Sequence, residues 1–260
     1  MRLTYDIDDV APYINWIYFF HAWGANGMPQ CDKRQLQAEA EEYLHRYSGR
    51  YQSHALFLIF DACSEGDDIV FPDMRFPLLR QQQVGSDYRC LADYVRSDAD
   101  RVGVFATTVD SGMETDFDGD PYEKMMMQLL ADRLAEATAE KMHEAVRKTY
   151  WGYAPDEHLS MEDMHQEKFQ GIRPAVGYPS LPDTSLNFLI DKLLDLRQIG
   201  VRLTESGAMK PHASVSGLML SYAGASYFAV GKIGTDQLND YALRRGIPVE
   251  LMRKFLGGNM

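Results

Sequence analysis

Glu136 and Arg173 are the two side chains whose type and setting best suit the binding of a small charged molecule. Glu136 belongs to a stripe of Leu129, Asp132, Glu136, Ala139, His143 and Val146 that recurs every three or four residues, beside the apolar face of a long helix. Arg173 lies in Gly171-Ile172-Arg173-Pro174-Ala175-Val176-Gly177-Tyr178-Pro179, where two prolines and two glycines forbid a long helix or a central strand. A loop so restrained holds an arginine and its backbone polar groups in set directions. A guanidinium offers a carboxylate two parallel donors and a glutamate accepts from an ammonium, so the pair suits a zwitterionic amino-acid group. A solvent-facing glutamate and an arginine on a surface loop fit the same pattern, and periodicity does not bring the two together.

No self-contained catalytic signature accompanies them. The P-loop, the GxSxG elbow, HExxH, the kinase set and GxGxxG are all missing, and the seven histidines have no ligand spacing. Asp116, Asp118 and Asp120 resemble the start of a calcium loop, but with Asp116 as position 1 the invariant glycine falls on Pro121. Helix capping explains them better, with Asp120 as N-cap, Pro121 at N1 and Glu123 at N3. Cys31, Cys63 and Cys90 are odd in number and lack CxxC spacing, which argues for reduced, structural thiols.

The elements that must carry these residues follow from patterning. A helix is expected from Lys33 to Tyr47 and a longer one from Asp120 to about Lys148, closed by Trp151-Gly152-Tyr153-Ala154-Pro155. Ser160 opens a short helix, Thr184 to Leu196 forms another, Thr235 caps one ending at Gly246, and Pro248 starts a last one reaching Phe255. Ala55–Phe60, Asp68–Phe71 and Val102–Val109 read as strands, with Asp73 to Gln83 too proline-bound for a regular element. Ala213–Tyr222 reads as a strand with Tyr227–Ile233 as its antiparallel partner, which puts Tyr227 and Phe228 on opposite faces. The run Tyr13 to Phe20, with five aromatics in eight residues, is either a buried anchor or the wall of a ligand site. Strands mixed with separate helices, without βαβ repeats, make the fold class α+β.

Composition sets the limits. With 38 acidic and 26 basic residues the net charge is −12, which disfavours a nucleic-acid surface, and 45% hydrophobic residues supply a real core. No linker divides the 260 residues, so one domain with elaborations is expected. No apolar run reaches membrane-spanning length and the first residues are not a signal sequence, so the cytoplasm is the expected location.

Several long segments carry a resemblance. Ala131-Asp132-Arg133-Leu134-Ala135-Glu136-Ala137, Tyr150-Trp151-Gly152-Tyr153-Ala154-Pro155, Gln170 through Pro179, Leu203-Thr204-Glu205-Ser206, Ala213 through Gly217, Tyr227-Phe228-Ala229-Val230 and Asp236-Gln237 occur in this order. They strongly resemble the activation domain of cobalamin-dependent methionine synthase, most specifically between residues 122 and 245. The resemblance implies an antiparallel twisted sheet flanked by helices and binding of S-adenosylmethionine. It also implies capping of a separate cobalamin-binding domain whose cofactor has decayed to cob(II)alamin. A flavodoxin-like partner then donates an electron and S-adenosylmethionine methylates the reduced cobalt, so the chain would serve as a methyltransferase module that orients the donor. By resemblance Arg173 takes the methionine carboxylate and Glu136 contacts the amino group or supports those contacts, Ala175 and Gly177 belong to the binding loop, Tyr178 faces cobalamin or organises that loop, and Tyr227 and Phe228 lie near the nucleoside. Asn15 stands where family members carry an aspartate, so either weaker affinity or compensation by Asp8 or Asp9 is expected. The same departure leaves open an interaction module that has lost ligand binding. The length accommodates only this one module, as a C-terminal fragment of a synthase or as a separate activator, and homocysteine methylation by the isolated chain is not expected.

Overall fold

The computed structural model describes residues 1–260. In chain order its strands are β1 (Arg2–Asp6), β2 (Gln52–Glu65), β3 (Asp68–Phe71), β4 (Met74–Pro77), β5 (Asp100–Val109), β6 (Arg202–Leu203), β7 (Met209–Lys210) and β8 (Ser214–Met219). Its helices are α1 (Ile7–Val10), α2 (Trp16–Ala22), α3 (Gln30–Tyr47), α4 (Gly112–Thr115), α5 (Pro121–Ala145), α6 (Met161–His165), α7 (Asn187–Leu194), α8 (Thr235–Arg245) and α9 (Val249–Phe255). Six strands form one antiparallel sheet in the order β4-β3-β2-β5-β8, with β1 also paired to β2, and β6 and β7 make a separate small ribbon. The α+β expectation stands, and no helix is long and apolar enough to cross a membrane.

β5 is buried on both faces from Val102 to Val109, and its alternation divides the core. Val102, Val104 and Ala106 pack with Leu56, Leu218, Leu186 and Ile190 on one face, whereas Phe105 packs with Phe57, Met142 and Val146 on the other. Each of these side chains larger than Ala106 contributes about 1.5–3 kcal/mol by leaving water. α5 lies across that second face. Asp120 caps it as expected, accepting from the Tyr122 and Glu123 N–H groups, with Pro121 at the first position. Ala131, Ala135 and Ala139, one turn apart, let the helix approach so closely that the Thr107 hydroxyl donates to the Ala135 carbonyl at 2.9 Å. The helix continues through a π-helical turn at Val146–Tyr150, which carries Arg147 into the interior.

Three local expectations are corrected. The turn-rich residues after Asp61 continue β2 as far as Glu65, because β5 and β3 between them supply ladder partners from Ser53 to Glu65. Met74–Pro77 is a strand despite its proline, which sits at the last position of a sheet-edge strand, where a missing donor is tolerated. Tyr227–Ile233 is not a strand: the edge of β8 is taken by the 172–176 loop, through Ile172 with Leu220, Pro174 with Leu218 and Val176 with Ser216. Asp116 accepts from Tyr51 and Arg50, while Asp120 caps α5. All three cysteines are free, but Cys31 is exposed and supports no core.

Candidate functional site

The arginine loop is built onto the sheet as a makeshift edge strand. Leu218 N–H donates to the Pro174 carbonyl at 3.0 Å and Val176 N–H to the Ser216 carbonyl at 2.8 Å. The approach is so close that a Cβ on Gly217 would lie 2.1 Å from the Pro174 oxygen, so glycine is required there. Gly177 turns the loop with φ +89°, a left-handed conformation costly for other residues. Its own N–H donates to Leu181 at 2.8 Å.

Between this loop, α5 and the start of α2 lies a cavity of about 600 Å³, half of whose lining residues are hydrophobic. Asn15, Glu136, Arg173, Ala175, Tyr178, Tyr227 and Phe228 all line it, so seven of the eight residues singled out from sequence converge. Gly177 does not line the cavity; it shapes the loop that does. Tyr227 and Phe228 both face the cavity, which corrects their expected placement on opposite faces of a strand. They are held from outside any ladder: the Arg173 N–H donates to the Tyr227 hydroxyl at 2.9 Å, and Ser180 Oγ is bonded to both the Phe228 carbonyl and its N–H.

The charged groups interlock. Glu140 accepts from Nη1 and Nη2 of Arg173, and a second Nη1 bond, 3.0 Å long, runs to His143 Nδ1. The side-chain bonds of Arg173 run to Glu140 and His143 alone, through Nη1 and one Nη2–H, so its Nε–H and second Nη2–H, one side-on edge of the guanidinium, have no protein partner. Burial acts to lower the Arg173 pKa, but Glu140 more than offsets it and the group is held firmly charged. Glu136 accepts from Arg133 at 2.9 Å and from the Tyr178 hydroxyl at 2.6 Å. Burial and Glu136 raise the Tyr178 pKa, which keeps it a donor. Glu167 also lines the cavity, and burial raises its pKa. Three carboxylates therefore face two guanidiniums.

Asn15 caps α2, its Oδ1 accepting from Ile17 N–H at 3.1 Å, a duty aspartate performs equally well. Asp8 and Asp9 do not line the cavity, and Asp8 instead accepts from Ser48, so the expected compensation for Asn15 does not come from them. The aromatic run does both jobs proposed for it: Ile14 and Phe19 are buried while Tyr13 and Tyr18 line the cavity. Sequence reasoning missed Arg133, Glu140 and Glu167. The signal for Glu140 was present, since it lies one helical turn beyond Glu136.

The family model for the vitamin B12 dependent methionine synthase activation domain matches residues 6–246. The chain belongs to this activation-domain family. A crystal structure of the MetH reactivation domain bound to AdoHcy is similar at a TM-score of 0.92 and 36% identity, over 100% of this chain and 90% of that one. The chain thus has the activation-domain fold over its whole length.

Proposed function

We propose that the cavity binds S-adenosylmethionine and presents its methyl group to the reduced cobalt of cob(I)alamin carried by a separate domain. The observation that carries this reading is the free side-on edge of Arg173 in a cavity with an excess of one carboxylate. A zwitterionic amino-acid end is neutral as a whole, so it docks with its carboxylate on Arg173 and its ammonium toward Glu136 without altering the charge balance. The remaining negative charge matches a sulfonium. Tyr18 and Tyr178 line the cavity as aromatic partners for that cation, and Tyr227 and Phe228 as an apolar wall for the nucleoside. The size suits a ligand of this class, since such sites span roughly 300–1,000 Å³. The AdoHcy in the related reactivation domain is the demethylated form of the same molecule, which supports the assignment.

On this reading the chain's contribution is orientation, and the nucleophile belongs to cobalamin. Tyr178, exposed at the cavity mouth and bonded to Glu136, stands where an incoming cobalamin domain would cover the ligand. A flavodoxin-like donor completes the reductive step. The test is reconstitution with the cognate cobalamin domain, a reducing system and methyl-labelled S-adenosylmethionine. Label on cobalamin is the expected result; ligand binding without transfer in a verified complex would leave only an interaction module.

A further inference from the structure

His143 is fully buried on α5, one turn after Glu140, and outside the cavity lining. Its Nδ1 stands 2.9 Å from Arg147 Nη1 and 3.0 Å from Arg173 Nη1. Both are obligate donors, so Nδ1 is an acceptor and the ring proton sits on Nε2, which faces the Tyr153 hydroxyl at 3.2 Å. Two cations thus converge on one neutral imidazole nitrogen. Each is neutralised on its far side: Arg147 by Glu157, through bonds of 2.6–3.1 Å, and Arg173 by Glu140. The ring is pinned edge-to-face against Phe169 at 5.2 Å, and that same phenyl carries the Arg147 guanidinium at 4.2 Å.

We propose that His143 is the positioning residue for Arg173, closing off one Nη1 donor so that, with Glu140 on the end-on edge, only the Nε/Nη2 edge is presented to the ligand carboxylate. This assignment rests on the S-adenosylmethionine reading above. An arginine guanidinium offers paired N–H donors on two edges only, Nη1/Nη2 and Nε/Nη2, and a carboxylate binds well only when one of them is offered in a set plane. Glu140 alone would let the group swing about that ion pair. The second contact, from a ring that cannot move, removes this freedom before the ligand arrives. Arg147 does not reach the cavity; its part is to hold the imidazole through Nδ1, anchored in turn by Glu157.

The experiment compares two neutral-sulfur ligands that differ in the amino-acid end, S-adenosylhomocysteine and 5′-methylthioadenosine, by calorimetric titration of the native chain, His143→Leu and His143→Asn. Leucine removes the acceptor, whereas asparagine Oδ1 stands near the Nδ1 position and restores it. His143→Leu should bind S-adenosylhomocysteine at least tenfold more weakly with 5′-methylthioadenosine affected less than twofold, and His143→Asn should recover most of the loss. Equal losses for both ligands, or none for either, would overturn the positioning role. If the native chain binds neither ligand, the underlying reading itself fails, which is a distinct result. Should His143→Leu not fold, the ¹⁵N shifts of His143 in the native protein decide: an unprotonated Nδ1 supports the assignment and a protonated Nδ1 refutes it.

Discussion

Replacing Arg173 by lysine separates the geometry of the guanidinium from its charge. In the native chain this group serves Glu140 through two nitrogens, His143 through one and, on our reading, a ligand carboxylate through its free edge. Lysine keeps the positive charge beside Glu140, so no carboxylate is stranded, but its three donors on one nitrogen cannot satisfy three partners arranged in a plane. Losing one or two net hydrogen bonds inside the protein costs about 1–2 kcal/mol of stability. Losing the bidentate grip on the ligand weakens binding at least tenfold, about 1.4 kcal/mol. Arg173→Ala goes further, since Glu140, only 19% exposed, loses its counter-ion; breaking such a pair costs about 3–5 kcal/mol when fully buried, so about 2–3 kcal/mol is expected here. Titration calorimetry with S-adenosylhomocysteine reads the binding term and urea denaturation the stability term. An unchanged dissociation constant for Arg173→Lys, with the protein folded, would refute the carboxylate assignment.

Asn15→Asp keeps the α2 cap and adds a fourth carboxylate to the cavity, so stability should stay within about 0.5 kcal/mol while S-adenosylmethionine binds more tightly than S-adenosylhomocysteine by a wider margin than in the native chain; unchanged relative affinity would remove the charge argument. Gly177→Ala forces a Cβ into the left-handed region at φ +89° and should cost about 1–2 kcal/mol, read by urea denaturation, with weaker ligand binding because the loop moves. His143 titrates well below 6.5 because burial and then Arg173 and Arg147 oppose its charge. The unfolded chain therefore binds a proton below pH 6.5 that the folded chain refuses, so this contribution is intact above 6.5 and is lost as pH falls, by up to about 1.4 kcal/mol per pH unit. Denaturation at pH 7.5 and 5.5 should show a steeper loss for the native protein than for His143→Asn, and parallel losses would count against a buried neutral ring.

What was legible in the sequence, and what was not, divides by physical range. Several helix boundaries were readable because their signals are local: Asp120-Pro121 before α5, the Ser160–Asp163 reciprocal cap before α6 and Gly246 after α8 act within one turn, whereas Thr235 is not the cap expected of it, since Gly234 holds that position and no side chain caps α8. The 171–179 loop was readable as rigid for the same reason. Its partner was not, because pairing between residues 172–176 and β8 is chosen by a distant edge and by the one position, Gly217, small enough to admit it. Once that edge is occupied, Tyr227–Ile233 has no ladder to join, whatever its strand propensity. The aromatic pair then reaches the cavity by a different route, clamped by Ser180 and by the Arg173 backbone.

The charged network shows the same limit more sharply. Glu136, Glu140 and His143 share one face of α5 by spacing alone, but nothing in that spacing says which of them meets Arg173. The fold decides it: Glu136 turns to Arg133 and Tyr178, while Glu140 and His143 hold Arg173. On our reading Glu136 answers the ligand ammonium: its two present partners are a neutral hydroxyl and an arginine of its own helix, which leaves acceptor capacity on a side chain that lines the cavity. A pocket that binds a sulfonium zwitterion needs a negative surplus that does not collapse onto its own arginines when empty. Committing each guanidinium to one glutamate in advance, with Glu167 left over, supplies that surplus.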